Sequence, residues 1–194
     1  MSLEKNITGI ILAGGKSSRM GSEKGLLWLK GKPFVEHIVE ALQPIAKEII
    51  IVSSNSEYDT FGVKRIEDII PECGPIAGLH AGLTNSKTKN NLVISCDAPL
   101  VTTSLLRKLF QFETEDYDIV QFEAEGKTIP LIALYKKRCV EKCFELLSNN
   151  EKRLRKLVSK FNTKTIAVQE KELFLVKNIN TIEDLNTITN AINY

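Results

Sequence analysis

A glycine-rich loop with two basic residues follows the first predicted strand, and its residue types point most clearly to chemistry. The loop begins at Gly14 and Gly15, carries Arg19 near its middle and ends at Lys24. Adjacent glycines let main-chain N–H groups approach an anion closely, and the two cationic side chains add positive charge at fixed offsets. This combination is typical of a loop that binds a polyphosphate.

Two better-known phosphate loops do not fit this stretch. A P-loop requires Lys and then Ser or Thr after its last glycine, whereas Gly21 is followed by Ser22 and Glu23. The dinucleotide fingerprint G-x-G-x-x-G opens directly into a helix, whereas Gly14 and Gly15 are adjacent and precede a long polar loop. The remaining interpretations are a different phosphate loop and a solvated loop whose basic residues are incidental.

A carboxylate at the end of a predicted strand is the second feature with chemical meaning. Residues 91–96 form a buried strand in this interpretation, and Asp97, Ala98 and Pro99 follow it. An acidic residue just past a central strand of a doubly wound sheet can hold a metal ion. The alternative role for Asp97 is that of a turn former that bonds its own backbone.

Buried strands and amphipathic helices alternate along the chain and position these residues. The alternation predicts an α/β fold: a doubly wound, mostly parallel Rossmann-like sheet with helices on both faces and a small antiparallel part in the C-terminal half. Ligands of such a sheet collect beyond the carboxyl ends of its strands. We expect a single domain over residues 1–194, with strands at 7–13, 48–52, 63–66, 91–96, 117–124, 128–135, 165–168 and 174–176, and helices at 33–45, 74–85, 102–110, 138–147, 152–161 and 181–192.

The C-terminal half carries three further signals. Pro130 cannot donate a hydrogen bond to a ladder, so its strand is expected to have an edge or a bulge there. The helix at 152–161 is basic and includes Arg153 and Arg155, which form either a solvated face or an anion-binding surface. Thr181 and Asp184 have the spacing of a capping box for the last helix.

Composition and charge exclude several classes of partner. The chain has 26 Lys and Arg against 24 Asp and Glu, so it lacks the global field of a nucleic-acid binder, and a small-molecule partner is expected. No apolar stretch reaches the length of a membrane span or has the layout of a signal peptide, which favours a cytoplasmic protein without a membrane partner. The four cysteines include no C-x-x-C pair, so neither a zinc site nor a disulfide is predicted.

The glycine loop resembles the signature of the Rossmann-like nucleoside-triphosphate transferases, L-A-G-G-x-x-x-R-M-G-x-x-K, at every specified position. The rest of the chain is similar to the molybdenum cofactor guanylyltransferases within that family. The segments that carry the second resemblance are 24–27, 31–33, 67–68, 74–79, 96–99, 130–135 and 178–181. The resemblance implies transfer of GMP from GTP to molybdopterin carrying molybdenum, with Mg2+ as cofactor and pyrophosphate as second product.

The resemblance also implies roles for individual residues. Arg19, Lys24 and Asp97 would be catalytic, and Asp97 would hold the magnesium ion. Arg153, Arg155 and Asn180 are candidates for the pterin site. A GTP-binding accessory protein and recipient molybdoenzymes are further partners that the resemblance suggests. The nucleotide-binding set would be Leu12, Ala13, Gly14, Gly15, Lys24, Asp68 and Asp97.

Three questions stay open at the level of sequence. Relatives can carry a nucleotide-binding asparagine after the second strand, where this chain has Ser53, Ser54 and Asn55, and either Ser53 or Asn55 could replace it. A cytidylyltransferase acting on molybdopterin or another small phosphate acceptor is one alternative function, and a non-catalytic nucleotide sensor is the other. The intact Arg19, Lys24 and Asp97 argue against the sensor, and the oligomeric state is not determined.

Overall fold

A computed structural model describes residues 6–14, 23–67 and 74–192 of the chain, and its centre is a mixed sheet of seven strands. The strands of this sheet lie in the order β5-β4-β1-β6-β8-β7-β9. Their bounds are β1 Ile7–Leu12, β4 Glu48–Val52, β5 Lys64–Ile66, β6 Asn90–Ser95, β7 Ile119–Ala124, β8 Lys127–Lys136 and β9 Thr163–Ala167, and a separate hairpin pairs β2 Trp28–Leu29 with β3 Lys32–Pro33.

Strand β8 runs against its neighbours, whereas the other pairs of the sheet are parallel. A tight turn at Glu125 and Gly126, both with positive φ, folds β8 back onto β7. The antiparallel part therefore consists of β6, β8 and β7. The α/β architecture predicted from the sequence, mostly parallel with an antiparallel part in the C-terminal half, is confirmed.

Helices cover both faces of the sheet, as predicted. The face with Ile7 and Ile11 packs against α1 and α3, and the face with Ile10 and Leu12 packs against α2, α4 and α5. This alternation along β1 explains why the strand is apolar almost throughout, because both of its faces are buried. The helices are α1 Phe34–Leu42, α2 Pro75–Asn85, α3 Thr103–Phe110, α4 Cys139–Ser148, α5 Leu154–Val158 and α6 Ile182–Ile192, with 3-10 helices η1 Lys24–Leu26, η2 Ser56–Phe61 and η3 Glu170–Val176.

Two elements differ from the sequence-based expectation. The segment 174–176, predicted as a strand, is the end of η3. The basic helix predicted over 152–161 is the shorter α5, which leaves Arg153 at its N-cap position. Pro130 lies at the expected irregularity: the β7–β8 register passes from Ile129 to Ala133, which is a bulge, and β8 has no β6 partner there, since β6 pairs with β8 only from Ile132 onward.

The last helix, α6, begins with the predicted capping box. The Thr181 hydroxyl accepts a hydrogen bond from the Asp184 amide at 3.0 Å, and Asp184 Oδ2 accepts one from the Thr181 amide at 3.0 Å. The capping box fixes the direction in which the preceding loop, 177–180, enters the helix. In the described part of the chain, no helix combines the length and the apolarity that crossing a membrane requires.

Candidate active site

The carboxyl ends of β1, β4 and β6 meet at one edge of the sheet, and the predicted site residues follow these ends. The ladder continues one residue past each strand: the Ala13 amide donates to the Val52 carbonyl at 3.0 Å, and the Cys96 amide donates to the Leu12 carbonyl at 3.0 Å. Leu12 and Ala13 are buried, whereas Gly14 is exposed at the rim. The edge is therefore a rigid support for the loops that leave it.

Lys24, Asp97 and Asn180 come together at this edge from distant parts of the sequence. Lys24 Nζ donates to Asn180 Oδ1 at 2.7 Å and lies 3.8 Å from Asp97 Oδ2. The Lys24 side chain is 22% exposed and that of Asp97 14% exposed, so both charges are partly withdrawn from water. An amine held between an amide and a carboxylate is oriented before any substrate arrives.

Backbone hydrogen bonds connect the three residues. The Ile179 amide donates to the Asp97 carbonyl at 2.8 Å, which attaches the loop before α6 to the turn after β6. The Asn180 amide donates to Asp184 Oδ2 at 3.0 Å, so the capping box of α6 also orients Asn180. Asn180 was expected only as a pterin-site candidate, and its contact with Lys24 was not predicted.

Asp97 has one oxygen suited to a further ligand. Its Oδ1 is buried and accepts no hydrogen bond from the residues that the structure describes. A buried carboxylate oxygen without a partner is costly, so an atom that binds there gains a prepared site. In the described ranges no group of three or more His, Cys, Asp and Glu side chains could hold a metal by itself. This fits Mg2+, which is commonly bound through one or two carboxylates together with waters and substrate phosphates.

Two acidic groups beside the site, Cys96 and Glu23, have raised pKa values, which favours their neutral forms. Burial, and to a smaller extent the adjacent Asp97, raise the pKa of Cys96 to about 12, so the thiol stays protonated beside the carboxylate. Burial also raises the pKa of Glu23, the residue before Lys24. The Cys96 thiol therefore adds no charge beside Lys24 and Asp97 at neutral pH.

The exit of β4 contains the two residues left open as nucleotide ligands. Ser53 is buried, and its hydroxyl accepts a hydrogen bond from the Asn55 amide at 3.2 Å. Asn55 caps η2, because its Oδ1 accepts from the Glu57 amide at 3.0 Å. Arg65 of β5 binds this segment: Nη1 donates to the Ser53 carbonyl at 3.1 Å, and Nε donates to Asp59 of η2 at 2.8 Å. Both candidate side chains thus have roles in holding the loop.

The N-terminus of α2 begins with the predicted glycine and proline. Gly74 has φ 69° and ψ −163°, a conformation that side chains rarely adopt, and Pro75 occupies the first turn. A Cβ at Gly74 would lie 3.8 Å from the Lys152 carbonyl oxygen, so this turn faces the start of the basic segment. Ile76, Ala77 and Gly78 are buried against the sheet.

The two arginines of the basic segment differ in their surroundings. Arg153 binds the Glu151 carboxylate through Nε at 2.8 Å and Nη2 at 2.7 Å. This pair, with Lys156 on the same carboxylate, lowers the pKa of Glu151 far below its ordinary value. Arg155 is exposed, and no hydrogen bond or ion pair to the described residues holds it. Arg155 is therefore the freer of the two candidate anion ligands.

Three of the predicted site residues, Gly15, Arg19 and Asp68, lie outside the described residues. Of the others, Lys24 and Asp97 lie together, and Leu12, Ala13 and Gly14 follow the neighbouring strand end. One contributor was missed altogether: Tyr58, whose hydroxyl donates to Glu23 Oε2 at 3.4 Å. No motif around Tyr58 indicated this contact, whereas the segment 178–181 already belonged to the resemblance.

Comparisons with known proteins identify the family of this chain. Residues 9–166 match the family described as the MobA-like NTP transferase domain. A protein of Flavobacterium johnsoniae named "Probable molybdenum cofactor guanylyltransferase" is 38% identical over 184 residues, which cover 95% of this chain and 97% of that protein. A Vibrio parahaemolyticus protein named "Molybdenum cofactor guanylyltransferase" is 33% identical over 179 residues, with 91% of each chain covered.

A solved structure supports the fold. The molybdopterin-guanine dinucleotide biosynthesis protein A from Archaeoglobus fulgidus superposes with a TM-score of 0.83 at 23% identity, covering 96% of this chain and 98% of that one. Together these similarities confirm the resemblance that the sequence motifs indicated.

Proposed function

This chain belongs to the MobA-like NTP transferase family, and we propose that it transfers GMP from GTP to molybdopterin carrying molybdenum. The terminal phosphate of the acceptor attacks the α-phosphorus of GTP, and the bond to the β-phosphate breaks. The products are the guanine dinucleotide form of the cofactor and pyrophosphate. The names of the similar proteins from Flavobacterium johnsoniae and Vibrio parahaemolyticus support this assignment.

The observation that carries the proposal is the convergence of Lys24, Asp97 and Asn180 at the edge where the carboxyl ends of β1, β4 and β6 meet. The reaction brings negatively charged groups together, so catalysis depends on positioning and on charge compensation. The orientation of Lys24 supports this role, since its amine is held by the Asn180 amide oxygen and lies beside a carboxylate. In the proposal Lys24 and Arg19 contact the triphosphate, together with main-chain N–H groups of Gly14 and Gly15.

Asp97 holds the magnesium ion in this proposal. The free Oδ1 atom is the ligand, and the neighbouring Oδ2 keeps its contact with Lys24. Bound Mg2+ would neutralise charge on the phosphates and on the leaving pyrophosphate. Asp97 therefore has two tasks, orienting Lys24 and binding the metal, and its position after β6 allows both.

The guanine base is assigned to the space between the Leu12–Gly14 backbone and the start of α2. Guanine offers N1–H and N2–H donors and an O6 acceptor, which main-chain carbonyls and amides can match. Cytosine presents the reverse pattern, so a matched site would leave polar groups unpaired at about 1–3 kcal/mol each when CTP enters. Asp68, which directly follows the β5 exit, is the proposed side-chain ligand on this side of the site.

The acceptor is assigned to Asn180 and to the basic segment that carries Arg155, the candidates considered from the sequence. Arg155 supplies the cation for the pterin phosphate, because Arg153 is already bound to Glu151. A GTP-binding accessory protein and recipient molybdoenzymes remain parts of the proposal that follow from the family resemblance. A cytoplasmic location remains a proposal that rests on the sequence pattern alone.

The test is a pyrophosphate-release assay with GTP, CTP or ATP, each with magnesium and the molybdenum-loaded pterin acceptor. We expect release with GTP that requires both the acceptor and the metal, and much slower release with CTP or ATP. Equal rates with CTP would overturn the guanylyl assignment and favour the cytidylyl reaction. Nucleotide binding without release in any mixture would favour the non-catalytic sensor.

A further inference from the structure

Tyr58 lies on η2 and contacts the residues on both sides of Lys24. Its ring is fully buried, and its hydroxyl donates to Glu23 Oε2 at 3.4 Å. A Cβ at Gly25 would lie 2.4 Å from the same hydroxyl oxygen, so the ring and the backbone of η1 are in close contact. Glu23 and Gly25 directly flank Lys24, and the tyrosine therefore constrains the short turn that carries the amine.

The 3-10 helix that presents Tyr58 is itself well anchored. Asn55 caps its first turn, and Asp59 binds Arg65 through two contacts, at 2.8 and 3.3 Å. Phe61 lies against the tyrosine ring with a centroid distance of 6.1 Å. These contacts fix η2 to the ends of β4 and β5, so Tyr58 is a rigid part of the site's surroundings and not a mobile cover.

We infer that Tyr58 is a positioning residue for Lys24, acting through Glu23 and Gly25. The inference rests on the proposed role of Lys24 in phosphate chemistry. The amine stands at the end of a long flexible side chain, and its location depends on the direction in which the backbone of Lys24 leaves η1. A hydroxyl and ring fitted against both flanking residues hold that direction, and Asn180 receives the amine at 2.7 Å.

If Tyr58 only fills space in the core, its ring is sufficient. If Tyr58 positions Lys24, its hydroxyl is required as well. Tyr58→Phe separates the two, because it keeps the ring and removes the contact with Glu23. The matched control is Ser86→Ala, which removes a buried hydroxyl that donates to Thr8 Oγ1 at 3.0 Å near the opposite end of β1. Tyr58→Phe loses one partly buried hydrogen bond, whereas Ser86→Ala loses the contacts of its hydroxyl with both Thr8 and Thr88. We therefore expect Ser86→Ala to lose at least as much thermal stability as Tyr58→Phe.

The kinetic experiment measures kcat and KM for GTP in both variants. We expect Tyr58→Phe to lower kcat about tenfold with KM for GTP within about threefold, because misplacing Lys24 affects the transition state more than the bound ground state. In the Lys24→Ala background the same substitution should change kcat less than about twofold, since the group it positions is gone. A full tenfold loss in that background, or equal kcat values for Tyr58→Phe and Ser86→Ala, would overturn the inference.

A chemical measurement separates this inference from the proposed function. Reductive methylation followed by mass spectrometry of the Lys24 peptide reports how firmly the amine is held, without any substrate. We expect Lys24 to react several-fold faster in Tyr58→Phe than in the wild type, and at the wild-type rate in Ser86→Ala. Unchanged labelling in Tyr58→Phe contradicts the positioning role, whereas a wild type that fails to release pyrophosphate contradicts only the proposed function.

Discussion

Replacing Lys24 by alanine should abolish most of the turnover while leaving the fold intact. The amine lies 2.7 Å from Asn180 Oδ1 and 3.8 Å from Asp97 Oδ2 on a side chain that is 22% exposed, so its charge is oriented and partly desolvated. Removing one such electrostatic donor costs about 3–4 kcal/mol in the barrier, which corresponds to a fall of about 10²–10³ in kcat. The loss should be similar with every nucleotide that reacts, because Lys24 is assigned to the triphosphate and not to the base.

The matched control for this substitution is Lys108→Ala. Lys108 binds both carboxylate oxygens of Glu172, at 2.8 and 2.6 Å, and its side chain is 32% exposed. Each substitution removes a partly buried lysine with an anionic neighbour, at a cost in stability of about 1–3 kcal/mol. No described hydrogen bond or ion pair connects Lys108 to Asp97 or Asn180, so its removal should spare turnover.

The assay is pyrophosphate release at saturating GTP, with the melting temperature of each variant measured in parallel. We expect Lys108→Ala to retain kcat within about threefold of the wild type and Lys24→Ala to lose about a hundredfold or more. If the two variants have similar kcat values at similar stability, the assignment of Lys24 to the triphosphate is refuted. Lys24 would then be an ordinary structural lysine.

The remaining predictions concern the metal, the acceptor and the pH dependence of stability. Asp97→Asn should eliminate turnover across a magnesium titration with an unchanged circular dichroism spectrum, and retention of most activity would contradict the metal assignment. Arg155→Ala should raise KM for the pterin acceptor about tenfold with KM for GTP unchanged. Arg153→Ala should have the smaller effect, because Glu151 already binds its guanidinium. If both variants have the same KM for the acceptor as the wild type, the basic segment is only a solvated surface. Burial lowers the pKa of His80 from 6.5, so the unfolded state binds more protons as pH falls below about 6.5, and stability decreases there. His80→Gln should reduce the loss of melting temperature between about pH 7.5 and pH 5.5, and an identical loss would show that His80 does not contribute.

The fold was largely predictable because its signals are local. Continuous apolar runs such as 49–52 occur where a strand is covered on both faces, and Gly74 with Pro75 marks the start of α2. The capping box at Thr181 was predictable for the same reason. The segment 174–176 was wrongly predicted as a strand. Its Leu175 and Val176 pack against the core from a 3-10 helix while Phe174 is exposed, and a short apolar run does not distinguish a strand from such a helix.

The site was predictable only in part, because its contacts join residues far apart in sequence. Lys24 and Asp97 could be proposed from a motif and from a strand end. The hydrogen bond from Lys24 to Asn180 joins residues that are 156 positions apart, and no sequence periodicity predicts such a contact. Tyr58 was even less predictable. No sequence pattern tells whether a buried tyrosine in a short 3-10 helix only fills the core or also supports a catalytic turn.

The central claim, transfer of GMP with release of pyrophosphate, is tested most directly by following the phosphorus atoms of GTP. The wild-type protein is incubated with magnesium, the molybdenum-loaded pterin acceptor and GTP labelled at either the α- or the γ-phosphate. The proposed reaction predicts that the α-label appears in the dinucleotide product, while the γ-label appears in pyrophosphate, and that Lys24→Ala slows both by the same factor. A γ-label found in inorganic phosphate or on the acceptor, with the α-label still in a free guanine nucleotide, would contradict nucleotidyl transfer.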